Sequence, residues 1–314
     1  GREGGDGPVR LSAAGIPGGV RRSVEEALGQ ARGRPSPIAG ASSLGGGCIN
    51  PSARVETGDG DAFFLKWNAD APAGMMAAEA DGLEALRAAA ALRVPEMLGH
   101  GASGGAQWLL LELVPQGRPG PGYAGAMGRG LAALHEAGDG GWGWERDNFI
   151  GSLPQANGGE ADWTSFWRER RLLPQLRRAR DGGHLASARG AVLDRLLDRL
   201  DDVLSGAGAD GPCLLHGDLW GGNAYPGPEG EPVIIDPAVY RGHGEVDLAM
   251  SELFGGFPAG HLEAYQEARG LAPAYRSHRR ACYQLYYLLV HVNLFGSGYV
   301  GRTLAAAEEA LAGA

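Results

Sequence analysis

The chain has 314 residues, 44 % apolar and 21 % charged, with a formal net charge of −9, a balance that suits a soluble globular protein of one large domain or two lobes sharing a cleft. The acidic excess argues against nucleic acid as the main partner, because phosphate contacts need clustered cations. No run approaches the ~18–20 uninterrupted apolar residues of a membrane span, so no membrane partner is expected. Cys48, Cys213 and Cys282 lie far apart, with neither a CxxC pair nor metal-type spacing, which excludes a disulfide framework and makes a reducing compartment the default.

In chain order, residues 1–21 are rich in Gly and Arg and are expected to be poorly ordered. They show no starting Met and no apolar signal core, which removal of a targeting segment would explain; the reducing compartment expected from the cysteines is the cytoplasm, with a plastid remaining open if such a segment was removed. A short helix is predicted over Ser23–Arg32, ended by Gly33 and Pro35. Strands follow at Ile38–Leu44, Ala53–Glu56 and Ala62–Trp67, with hairpin turns at Gly45-Gly46-Gly47 and Gly58-Asp59-Gly60. Met75–Ala91 has helical periodicity, and Val94–Leu98 and Trp108–Val114 complete a five-stranded antiparallel sheet.

Pro and Gly cluster at Pro115–Pro121, which predicts a boundary there: a small N-terminal lobe over 22–116 with the sheet and one helix, then a larger, mostly helical lobe over 117–314. Met127–His135, Asp162–Arg180 and Arg189–Leu204 read as helices. The basic stretch Arg168–Arg180 reads as a solvated helix face. Cys213-Leu214-Leu215 is a short apolar strand that runs into a polar loop, and the tail from Arg279 again reads helical.

That polar loop carries the strongest chemical signal: His216-Gly217-Asp218-Leu219-Trp220-Gly221-Gly222-Asn223, followed by Val233-Ile234-Ile235-Asp236. Asp218 and Asn223 have the Asp-to-Asn spacing of a kinase catalytic loop, and Asp236 stands where a second metal-binding Asp belongs. A hairpin over the intervening Gly/Pro-rich turn would return Asp236 to Asn223. One carboxylate could then face a substrate hydroxyl while an amide and a second carboxylate hold Mg²⁺ on the phosphates of ATP.

Lys66, the only lysine in the chain, ends the third strand, where a kinase places its phosphate-contacting lysine. Glu79 on the following helix is the candidate partner, with Glu84 as the alternative on the same helix. Gly45, Gly46 and Gly47 sit where a phosphate-covering loop belongs, since glycines let backbone N–H groups approach closely. No GK[ST] follows, which excludes a Walker-type loop.

These segments, with Glu245–Met250 and Glu252–Phe257, Asp147–Gly151 and Pro154–Asn157, resemble the fructosamine/ketosamine 3-kinase family over roughly residues 22–305. Trp220 inside the loop and the DNFIG, PQxN and ELFGGF segments separate this family from other kinase-like proteins. The resemblance implies an α+β, bilobal, protein-kinase-like fold. It implies Asp218 as catalytic base, Asn223 and Asp236 as metal ligands, and Lys66 with Glu79 as the phosphate-positioning pair. It also implies a hinge over Leu111–Val114, where Glu112, Leu113 and Val114 read adenine through the backbone.

The implied acceptor is the C3 hydroxyl of a ketosamine, on a small amine or a glycated protein, and Trp220 would flank its sugar. Trp142, Trp144, His291 and Asn293 are pocket candidates, core packing and helix polar contacts being the alternative. Cys48 lies among loop N–H groups that favour a thiolate, and the resemblance implies that it can pair between chains, giving a monomer or a Cys48-linked homodimer; an inert small residue is the alternative. Two other functions fit the core motif: a choline- or aminoglycoside-type kinase, which does not need Trp220, and an inactive kinase-like binding module, against which the full set Lys66, Asp218, Asn223 and Asp236 argues.

Overall fold

The computed structural model of the chain describes residues 15–44, 50–136, 140–186 and 189–314. The predicted Gly45, Gly46, Gly47 and Cys48 lie outside these residues. Helix α1 (Gly18–Arg32) begins at Gly18 rather than at the expected Ser23. Val20, Val24 and Leu28 recur every fourth residue on its buried face, a stripe that outweighs the poor helix propensity of two leading glycines. Gly19 serves close packing, because a Cβ there would collide with the backbone of Gly104. Residues 15–21, expected to be poorly ordered, are therefore built into the fold: Ile16 and Val20 are buried in the core.

The sheet is antiparallel in the order β1-β2-β3-β5-β4, with β1 at Ile38–Ser43, β2 at Ser52–Thr57, β3 at Ala62–Asn68, β4 at Met97–Ser103 and β5 at Ala106–Glu112. The last two strands differ from the expected bounds. Pro95 keeps Val94 and the residues just after it out of the ladder, and Gly104 and Gly105, with φ of 60° and 79°, form a two-residue hairpin turn that moves both strands. Helix α2 (Met75–Ala89) connects β3 to β4. Val24 and Leu28 of α1 pack with Val55, Leu65, Trp108 and Leu110 of the sheet in one apolar core.

Cα packing divides the chain into two units. The first runs to Glu84 and adds Pro95–Pro115; the second comprises Ala85–Val94 and everything from Gln116 onward. Ala85–Val94 joins the second unit because Arg93 pairs with Val233 in a parallel bridge and Ile234 N–H donates to the Arg93 carbonyl.

The second unit contains α3 (Tyr123–Glu136), the ladder of β6 (Asn148–Ile150) with β7 (Leu153–Gln155), and α4 (Trp163–Phe166), which continues through a π-helical turn, Trp167–Leu172, into α5 (Leu173–Asp181). The helix expected at Arg189–Leu204 is broken at Arg199 into α6 (Ala191–Asp198) and α7 (Leu200–Val203). Four short strands follow: β8 (Cys213–Leu215), β9 (Ala224–Pro226), β10 (Pro232–Ile234) and β11 (Tyr240–Gly242). Then come α8 (Glu245–Leu253), α9 (His261–Arg269), α10 (Arg280–Phe295) and α11 (Val300–Ala312). No described helix is long and apolar enough to cross a membrane.

One sequence expectation fails inside this unit. Arg171, assigned to a solvated face, is fully buried. Its guanidinium lies 3.9 Å from the Tyr240 ring centroid and 4.7 Å from that of Phe166. A planar, weakly hydrated cation can be held by aromatic faces and carbonyls where an ammonium could not.

Candidate active site

Two antiparallel ladders frame the loop 216–223. β8 pairs with β11, Leu215 opposite Tyr240, and β9 pairs with β10, Ala224 opposite Ile234. The second ladder is the hairpin expected from the Gly/Pro-rich turn, and it returns the chain to the loop: Ile235 N–H donates to the Asn223 carbonyl at 3.0 Å, and Ala238 N–H to the His216 carbonyl at 2.9 Å. Gly217, at φ 83°, lies so close to Ala238 that a Cβ would run into its carbonyl; only glycine fits.

Asp218, Asn223 and Asp236 are thereby brought together. The Asn223 amide nitrogen donates to the Asp218 carbonyl at 2.8 Å and to its Oδ2 at 3.2 Å, and the Asp236 carbonyl is 3.5 Å away. This arrangement leaves Asn223 Oδ1 as an acceptor-type ligand. Asp236 holds φ 52°, a left-handed conformation that is uncommon for a non-glycine residue and typical of sites that aim a side chain. Burial, and next the nearby Asp236 carboxylate, push the Asp218 carboxyl up to about 7. The Asp236 carboxylate and the Asn223 side-chain oxygen beside it are hard donors of the kind that suits a divalent cation. Among the described residues, no group of three or more His, Cys, Asp or Glu could by itself hold a metal ion.

Two residues fix the loop itself. His216 is fully buried; its Nδ1 accepts from Asp218 N–H at 3.2 Å, so its Nε2 carries the proton and donates to the Ile235 carbonyl at 2.8 Å. Burial lowers its pKa, consistent with this neutral tautomer. Asp247, in the first turn of α8, accepts from His216 N–H at 2.8 Å and Gly217 N–H at 2.9 Å, and faces His135 Nε2 of α3 at 3.2 Å. Burial alone would raise the Asp247 carboxyl, but these hydrogen bonds, led by His135, hold it below the ordinary carboxylate range. Sequence reasoning took Glu245–Met250 only as a motif of resemblance and missed this anchoring role.

In the first unit, Lys66 of β3 is buried and its Nζ lies 2.6 Å from Glu79 Oε1 on α2, so Glu79 rather than Glu84 is the partner. Glu112 ends β5, and Leu113 and Val114 follow it. The other predicted residues separate. Trp220 is 38 % exposed and meets Phe254 edge-on; Phe254 packs 4.5 Å from His291. Asn293 instead donates to the carbonyl and side chain of Gln175, and Trp144 lies under the Arg241 guanidinium. Cys213 and Cys282 are buried, which pushes each thiol up to about 12 and keeps both unreactive.

The catalytic-type loop, its convergent oxygen-bearing side chains and a sheet bearing a buried Lys–Glu pair define a kinase-like phosphotransferase that acts on a hydroxyl group. The fructosamine kinase family model matches residues 20–312, and the chain belongs to that family. A Synechocystis protein named a probable ketoamine kinase is 41 % identical over 88 % of this chain and 92 % of its own length. A rice protein named protein-ribulosamine 3-kinase, chloroplastic, is 39 % identical over 93 % of this chain and 87 % of its own. A solved structure of a candidate fructosamine-3-kinase from Thermobifida fusca superposes with a TM-score of 0.82 at 36 % identity, covering 92 % of this chain and 99 % of that one. A macrolide 2'-phosphotransferase from Brachybacterium faecium, at 19 % identity and TM-score 0.53 over 91 % of this chain and 97 % of its own, shares the fold.

Proposed function

We propose that this chain is a ketosamine 3-kinase, which transfers the γ-phosphoryl group of ATP to the C3 hydroxyl of fructosamine- or ribulosamine-type adducts on small amines or glycated proteins. The observation that carries this reading is the convergence of Asp218, Asn223 and Asp236 through the hydrogen bonds of Asn223 and the β9–β10 hairpin. Asp218 orients the acceptor hydroxyl and takes its proton late, because phosphoryl transfer has a loose transition state in which positioning and charge neutralisation dominate. Lys66, steadied by Glu79, contacts the α- and β-phosphates, and Glu112–Val114 read adenine through the backbone. These nucleotide roles belong to residues 22–116, and acceptor chemistry to residues 117–314.

Asn223 Oδ1 and the Asp236 carboxylate would hold magnesium, which when bound neutralises charge on the β- and γ-phosphate oxygens. Trp220, with His291 behind Phe254, takes the open polyhydroxyl chain by stacking and hydrogen bonding. A C3 phosphate leaves more readily than hydroxide, so the product can eliminate and release the amine, which makes the activity a repair of glycated amines. The Synechocystis relative is bacterial and the rice relative is named chloroplastic; cytoplasm or plastid is the compartment that we propose.

The test is a turnover assay with radiolabelled ATP on synthetic ribulosamine, erythrulosamine and fructosamine, beside choline and an aminoglycoside. Phosphate on the ketosamines alone is the expected result. Turnover of choline or the aminoglycoside instead would reassign the acceptor, and nucleotide binding without any turnover would make the chain a binding module.

A further inference from the structure

The DNFIG and PQxN segments have no chemistry in the reading above, yet they place three buried amides together. Asn148 opens β6, Gln155 closes β7, and Asn157 follows; all three are buried. Gln155 Nε2 donates to Asn148 Oδ1 at 2.9 Å, and Asn157 Nδ2 donates to the same oxygen at 2.8 Å. The donors left over point at the active-site segment. Asn148 Nδ2 donates to the Val239 carbonyl at 2.7 Å, and Gln155 Nε2 also reaches the Ala238 carbonyl at 3.2 Å.

Two tyrosines and an arginine complete the cluster. Tyr286 of α10 donates to Gln155 Oε1 at 2.7 Å, and its neighbour Tyr287 donates to the Gly217 carbonyl, also at 2.7 Å. Arg171 Nη2 donates to Asn157 Oδ1 at 2.7 Å and Nη1 to the Ala156 carbonyl at 2.6 Å. Each amide oxygen therefore accepts and each amide nitrogen donates, so every orientation is fixed by a partner. The cluster ends on the carbonyls of Gly217, Ala238 and Val239. Gly217 immediately precedes Asp218, and Ala238 and Val239 closely follow Asp236.

We propose that Asn148, Gln155 and Asn157, with Tyr286, Tyr287 and Arg171, form a positioning device that sets the separation of Asp218 and Asp236. The device rests on the kinase reading and touches no substrate. A buried polar network whose amides are all satisfied rigidifies what it binds, and displacement of reacting groups by about 1 Å costs about 10²-fold in rate. Loosening it should therefore lower kcat far more than it raises KM, since Lys66, Glu112–Val114 and Trp220, which meet nucleotide and sugar in that reading, lie outside the cluster.

Tyr287→Phe and Gln155→Met test this, with Gln155→Glu as a variant that keeps the acceptor for Tyr286 but loses the donor to Ala238. Each is studied at a temperature where circular dichroism shows it fully folded. Hydrogen–deuterium exchange is read at the amides of Ile235 and Ala238, which bond to Asn223 and His216. The expected result is exchange faster by about tenfold at those two amides, kcat lower by about tenfold or more, and KM for ATP and ketosamine within about twofold. Unchanged exchange and unchanged kcat per folded molecule would overturn the proposal. So would losses that track only the melting temperature and vanish on cooling. If Gln155→Met fails to fold, Tyr287→Phe, which deletes a single hydroxyl, decides alone. Absence of turnover in the unmodified chain would instead count against the proposed function, and the exchange data would still judge the bracing.

Discussion

Two places in the molecule pair aspartates with basic side chains, with opposite physical consequences. At the β2–β3 hairpin, Arg32 and Arg34 meet Asp59 and Asp61 on the surface; the Arg32 hydrogen bond, then that of Thr57, holds the Asp59 carboxyl well below its usual range. At the loop 216–223, Asp247 and His135 meet in the interior, and Asp247 also binds two backbone N–H groups. Water screens the first cluster and offers each member an alternative partner. The second has no alternative, so its geometry is fixed and its loss is costly. The number of charge pairs is thus a poor guide; what the pairs hold in place, and whether water can substitute, decides their worth.

The comparison can be tested in order of expected effect. Asp218→Asn keeps the shape of the interior site but removes its base, and turnover should fall by about 10³-fold while nucleotide binding by thermal shift survives; retention of most of the rate would show that the base is elsewhere. Asp247→Asn offers only one acceptor to two loop N–H groups, and urea denaturation should show a loss of about 3 kcal/mol.

His243 gives a pH test. Burial, then the charge of Arg279 and the neighbouring His135 and Arg269 side chains, push its imidazole from 6.5 down to about 3; Glu245 lies 3.8 Å away and the Tyr283 hydroxyl 2.7 Å. The unfolded chain binds this proton near pH 6.5 and the folded one does not. The contribution is therefore complete above pH 6.5 and is lost as pH falls toward 3, by up to about 1.4 kcal/mol per pH unit. His243→Gln should flatten the drop in urea stability between pH 6.5 and 5. Last, Asp61→Asn in the surface cluster should leave the melting temperature within about 1 °C of the parent; a shift of several degrees would erase the distinction between the two places.

Much of the site was legible because its chemistry depends on residue type and spacing. The Asp218–Asn223 interval and the Gly/Pro-rich turn before Asp236 were enough to predict a hairpin that closes on itself, and a lone lysine at a strand end pointed to Glu79. The supports were harder to read. His216 acts through its tautomer and Asp247 through backbone N–H groups, and neither leaves a compositional mark. Asn148, Gln155 and Asn157 were visible as a motif, but amides carry no charge that would announce a role. Arg171 was misread because a basic run normally faces water, and nothing local shows that Tyr240 and Tyr286, far along the chain, will enclose it. Gly19 was misread for the converse reason: glycine permits disorder, but it also permits two backbones to touch.

Arg171 has a further consequence. A guanidinium stays protonated throughout the range in which a protein remains folded, and the rings, amides and carbonyls around it have no protons to lose there. The cluster around Arg171 is therefore silent to acidity, unlike the His216 and Asp247 supports: pH changes that alter histidines and carboxyls leave its polarity as it was.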